Sequence, residues 1–153
     1  MINLQLINRY DGTIKTPRFF KRKLKKIIAV ACDNHNVVGN IEVSLIIVND
    51  HAMKELSKQY KKVNKTTDVL SFPADFMEMK KTIGYFLLGD IYISAPMVYE
   101  NAREFGHSEL REWSYLFTHG LLHLLGHDHK KKDQETIMND EANKIMSIIK
   151  VKR

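Results

Sequence analysis

Apolar residues recur along the chain in two rhythms, one of two residues and one of between three and four, and the switches between them predict most of its elements. "NLQLINRY", Asn3 to Tyr10, alternates apolar and polar side chains and predicts a first strand, broken at Asp11-Gly12. After Pro17, Phe20, Leu24, Ile27 and Ile28 return at helical spacing while Lys21, Lys25 and Lys26 point elsewhere, so an amphipathic helix is expected. "VSLIIV", Val43 to Val48, is β-branched and almost continuously apolar, the pattern of a strand covered on both faces. Asn49 or Asp50 can cap a short helix running to about Tyr60. "KKVNKT" then reads as an exposed loop and "TDVLSFP" as a short strand stopped by Pro73. "FLLGDIYIS", Phe86 to Ser94, is another strand, with Gly89 inside it. Ser94 caps, and Pro96 sits near the first turn of, a helix through about Phe105. Ser108 starts the next helix, with Glu109 and Glu112 at its positive end, and a final helix is expected from about Asp133 to Lys150. About four strands mixed with about five helices predict an α/β (α+β) fold, a mixed sheet covered by helices. No linker divides it, so residues 1–153 are expected to form a single small domain.

Composition narrows function more than fold. With 44% hydrophobic and 27% charged residues, the 153-residue chain has the make-up of a globular protein with one core. Its first residues, Met1-Ile-Asn-Leu-Gln-Leu, lack the charged start and cleavage site of a secretory signal. No apolar run approaches membrane-spanning length, and the expectation is a cytoplasmic protein without a membrane partner. Cys32 is alone, which excludes an intrachain disulfide and a thiolate-built zinc site, so any metal must be held by His and carboxylates. The net charge of +6 gathers in "RFFKRKLKKII" (Arg18 to Ile28), Lys130 to Lys132 and the tail "KVKR". Such clusters suit a polyanion, though three solvated faces would read the same way.

The charge gains meaning beside the histidines. "THGLLHLLGHDHKKKD", Thr118 to Asp133, holds His119, His123, His127 and His129 in what otherwise reads as a leucine-rich helix. At about 100° per residue, Leu110, Trp113, Phe117, Leu121 and Leu124 form one stripe, while His119 and His123 share the other side with Glu112 and Tyr115. Two imidazoles one turn apart can aim nitrogens at a common point about 2.0 to 2.1 Å from each. Gly126 can end the helix through a left-handed residue and bring His129 to the same point. The spacing is that of the metzincin zinc proteases, HExxHxxGxxH, except that Gly120 stands where those enzymes carry their general base. His127 falls off the pattern and is expected exposed or behind the ligands. Asp128 either orients a ligating imidazole or is a plain turn residue.

"HGLLHLLGHDH", His119 to His129, resembles the HGxLHLxGxDH signature of the YbeY family of bacterial endoribonucleases. "TDVLSFP" (Thr67 to Pro73) and "LGDIYIS" (Leu88 to Ser94) resemble two further family blocks in the family's order, covering about Val43 to His129. The resemblance implies a metal-dependent hydrolase with a single zinc held by His119, His123 and His129. Its implied substrate is single-stranded RNA, with a role in 3′-end maturation of small-subunit ribosomal RNA and in ribosome quality control. The implied partners are ribosomal RNA precursor, the small subunit and its assembly factors. Where the family has an arginine ahead of "TDVLSFP", this chain has Tyr60-Lys61. Lys61 keeps the charge without the bidentate fork, and is the candidate for steadying a negative phosphorane-like transition state; an ordinary lysine of a basic loop is the other reading. Asp68, Ser71 and Asp90 lie in the resembling blocks, where they either line a cleft or satisfy backbone groups. Two rivals remain at this level: a metalloprotease with a substitute base, and a non-catalytic ribosome-assembly factor whose zinc is a structural staple.

Overall fold

A computed structural model describes residues 1–12, 20–60, 67–74, 84–127 and 131–150. Among them, strands β1 (Ile2–Asn8), β2 (Asn40–Val48), β3 (Val69–Pro73) and β4 (Tyr85–Ser94) form one sheet in the order β1-β2-β4-β3. β1 and β4 both run parallel to β2, and β3 runs antiparallel to β4, so the sheet is mixed as expected. The helices are α1 (Phe20–Asn34), α2 (Asp50–Tyr60), α3 (Ala95–Phe105), α4 (Glu109–Leu124) and α5 (Lys132–Ile149). The starts of α2, α3 and α4 are those the capping residues predict. Asn49 accepts from the Ala52 amide at 2.8 Å, Ser94 from Met97 at 3.4 Å and Ser108 from Arg111 at 3.1 Å. The expected loop "KKVNKT", residues 61–66, lies outside the described residues.

The sheet has two unequal faces. On one, Leu4, Ile41, Val43, Leu45, Ile47, Phe86, Leu88, Ile91 and Ile93 pack with the apolar stripes of α1, α4 and α5 in the main core. On the other, Ile46, Val48 and Leu70 meet Met53 of α2. The continuous apolar run of β2 is thereby explained, because its alternate residues enter different cores.

β4 solves a parity problem. Phe86 and Leu88 face the main core, and so do Ile91 and Ile93, which strict alternation forbids. The register against β2 slips there: Glu42 opposes Leu87 while Val43 opposes Gly89, so one extra residue of β4 is absorbed in a bulge. Gly89 adopts φ +136°, and a Cβ on it would lie 2.2 Å from the Phe72 carbonyl oxygen. Only glycine fits there, and the bulge restores the inward facing of the strand's second half.

α4 is the central helix. It touches β3, β4, α1, α3 and α5, and Trp113 and Phe117 are wholly buried along it. The surface left to it is narrow and carries Tyr115, His119 and His123, all partly buried.

Candidate metal centre

His119 and His123 lie one turn apart on α4 with ring centroids 5.1 Å apart, so the shared face read from the sequence is present. The helix then ends in a Schellman turn. The His127 amide donates to the Leu122 carbonyl at 2.9 Å, the Gly126 amide to the His123 carbonyl at 3.1 Å, and Gly126 takes φ +108°. This reversal brings the His127 carbonyl back over the helix, where His123 Nδ1 lies 3.0 Å from it. A carbonyl only accepts, so Nδ1 carries the proton and Nε2 the lone pair, the tautomer a metal ligand needs and the orienting contact such ligands commonly have. The two histidines therefore fit a divalent metal. His129, Asp128 and Lys61 lie outside the described residues.

Gly120 explains the missing glutamate. A Cβ at this position would stand 2.8 Å from Ile91 Cγ2 and 3.3 Å from Val69 Cγ2, because α4 is pressed against β3 and β4 here. The position where the zinc proteases hold their base faces packed side chains of the sheet.

From His119 the same helix face continues to Tyr115, at 6.4 Å between ring centroids, and into a cleft of about 470 Å³. Asp68, Asn101, His107, Arg111, Glu112 and Tyr115 line it. Asn101 Nδ2 donates to Glu112 Oε2 at 3.1 Å and reaches Asp68 Oδ2 at 3.4 Å, while His107 Nε2 lies 3.3 Å from Glu112 Oε1. Burial raises the Glu112 pKa, against the lowering effects of the Asn101 hydrogen bond and His107. Asp68 is likewise raised by burial, opposed by hydrogen bonds from its own backbone, Val69 and Asn101. Of the three residues from the resembling blocks, Asp68 thus lines the cleft. Ser71 sits half-buried within β3 opposite Ile91, and Asp90 is exposed in β4 opposite Phe72. Asn101 and His107 carry no signal of their own in sequence: they reach Glu112 only because α3 folds against α4. The His127 ring is neither exposed nor turned to its neighbours on α4; it is partly buried beside His35 and Glu141.

A family model described as "Endoribonuclease YbeY" matches residues 6–150. Curated relatives bearing the same description include one from Mycoplasma mobile, 43% identical over 99% of this chain and 97% of its own length. Another, from Clostridium botulinum, is 35% identical over 96% of this chain and 98% of its own. A protein of Thermotoga maritima solved in solution is similar in fold, with a TM-score of 0.54 and 26% identity over 96% of this chain and 90% of that one.

Proposed function

The chain belongs to the YbeY family of endoribonucleases, and from that premise we propose that it cleaves single-stranded RNA with the help of one zinc ion at His119, His123 and His129. The observation that carries the reading is the His123 imidazole held through Nδ1 by the His127 carbonyl, beside His119 on the same helix face. A zinc ion there would supply a Lewis acid and lower the pKa of a bound water toward neutrality.

The chain's own residues do the rest. His119 and His123 offer imidazoles on a rigid helix, the reversal at Gly126 sets the His127 carbonyl against His123, and His129 is proposed as the third ligand. The cleft beyond Tyr115 offers Arg111 to phosphate, along with an aromatic edge for a nucleotide. Lys61 meets charge that develops on the scissile phosphate. The basic clusters hold the RNA backbone without reading its sequence. The substrate proposed is ribosomal RNA precursor, processed in the cytoplasm at the 3′ end of the small-subunit RNA in company with the small subunit and its assembly factors. A protease reading is disfavoured by the packing at Gly120, which leaves no room for the base.

The test is metal-controlled purification followed by elemental analysis and cleavage assays on ribosomal RNA precursor and on casein. His119→Ala, His123→Ala and His129→Ala should each lose about one equivalent of zinc and RNA cleavage together. Lys61→Ala should keep the zinc and lower kcat about 10- to 100-fold, with Lys62→Ala as the unaffected neighbour. Near wild-type zinc in all three histidine variants, or digestion of casein in place of RNA, would refute the reading.

A further inference from the structure

We propose that His35, His127 and Glu141 form a second site for a divalent transition-metal ion, one that ties the ends of α1 and α4 to α5. Three elements bring one donor each. α1 ends in the same kind of turn as α4: the Val37 amide donates to the Cys32 carbonyl at 2.9 Å, the Asn36 amide to Asp33 at 3.2 Å, and Asn36 takes φ +58°. His35 is fixed at this turn and His127 at the corresponding turn of α4, while Glu141 projects from the middle of α5. The donor atoms all lie within 4.8 Å of one another. His35 Nε2 is 2.8 and 2.9 Å from the two Glu141 oxygens, and His127 Nε2 is 2.9 Å from Oε2.

The contacts at His127 do not close as hydrogen bonds. Its Nε2 is buried, and despite the short distance to the carboxylate no N–H points along that line. Two electron-rich atoms at this separation repel unless positive charge lies near both. A cation bound by both at about 2.0 to 2.1 Å, with a tetrahedral angle, needs donors about 3.3 Å apart, an opening of a few tenths of an ångström. The two rings stand edge to face, with centroids 5.0 Å apart and planes at 87°, so both nitrogens address the carboxylate without clashing. Two helix C-termini meet here, and their partial negative charge adds to that of Glu141. Imidazole donors select a zinc-like ion over magnesium or calcium. With donors from three elements, the ion would act as a staple. It would also hold the turn whose carbonyl orients His123.

The test adds zinc to chelator-treated full-length protein and counts bound ions by elemental analysis after desalting. Wild type should hold about two equivalents, and His35→Ala, His35→Gln, Glu141→Gln and His119→Ala about one each. Zinc should still raise the Tm of His119→Ala by several degrees, and should have no effect on His35→Ala/His119→Ala. If His35→Ala, His35→Gln and Glu141→Gln all keep the full wild-type complement, and zinc leaves the Tm of His119→Ala unmoved, the second site does not exist and the cluster is a hydrogen-bonded clamp. If instead His119→Ala keeps every ion and the His35 variants lose them, the second site stands and the zinc reading of the His119 face fails.

Discussion

Gly120→Ala distinguishes a glycine kept by packing from one that is merely tolerated. In an exposed helix interior the change would stabilise the protein by about 1 kcal/mol, the difference in helix propensity. Here the new methyl would sit 2.8 Å from Ile91 Cγ2 and 3.3 Å from Val69 Cγ2, both on β-branched side chains with little freedom to turn aside. Overpacking of this kind costs about 1 to 3 kcal/mol, so the net expectation is a loss of about 1 kcal/mol, or roughly 3 °C in Tm. Gly120→Glu, which restores the zinc-protease motif, adds an unpaired carboxylate against the sheet and should lose several kcal/mol, a large share of a typical stability. Urea unfolding followed by circular dichroism measures both. Combining Gly120→Ala with Ile91→Ala should cost less than the sum of the two, because the new methyl fills part of the space vacated. A Gly120→Ala protein that is about 1 kcal/mol more stable than wild type, with Gly120→Glu close behind, would refute the packing explanation and reopen the protease chemistry.

Two further outcomes follow from the cleft and the charge. The folded Glu112 pKa is raised above its ordinary value of 4.5, chiefly by burial, so the stability it contributes is full below about pH 4.5 and is lost as pH rises through the folded value. Glu112→Gln should therefore flatten the decline in urea midpoint above pH 4.5, leaving the part due to Asp68, whose pKa is also raised; an unchanged profile contradicts the burial argument. Affinity for single-stranded RNA should fall steeply and linearly with salt on a log-log plot, since clustered lysines act through phosphates; a flat plot removes the basic surface from the substrate site.

The elements legible in the sequence are those whose signals are local. Asn49, Ser94 and Ser108 announce helix starts because a capping side chain bonds to an amide two or three residues away. The shared face of His119 and His123 follows from helical periodicity alone. The β4 bulge was not legible: "FLLGDIYIS" shows a glycine, but the residue it leaves unpaired is defined by the register against β2 and the nearness of the Phe72 carbonyl. The cleft was half legible. Glu112 could be placed with the histidines, yet its partners Asp68, Asn101 and His107 come from β3 and the α3 region, and contacts between elements leave no periodic trace. His35, far from His127 in the chain, and Glu141, on the helix that follows it, were invisible for the same reason.

Gly126 shows how a backbone preference reaches the site. Its φ of +108° costs an L-residue about 1 to 2 kcal/mol, while a Cβ there would meet no atom within 4 Å, so Gly126→Ala is penalised by conformation alone. If the chain relieves that strain by opening the turn, the His127 carbonyl leaves His123 Nδ1 and the imidazole loses the bond that fixes its tautomer. Loss of such an orienting partner typically weakens metal binding about 10- to 100-fold. His127→Ala is the matched control, because it removes the ring and keeps the carbonyl. Both changes belong on a His35→Ala background, so that only zinc at the His119 face is measured. There, zinc affinity by competition with a chromophoric chelator should drop for Gly126→Ala and hold for His127→Ala. The reverse order would mean that the His127 side chain, and not the turn that Gly126 makes possible, supports the metal face.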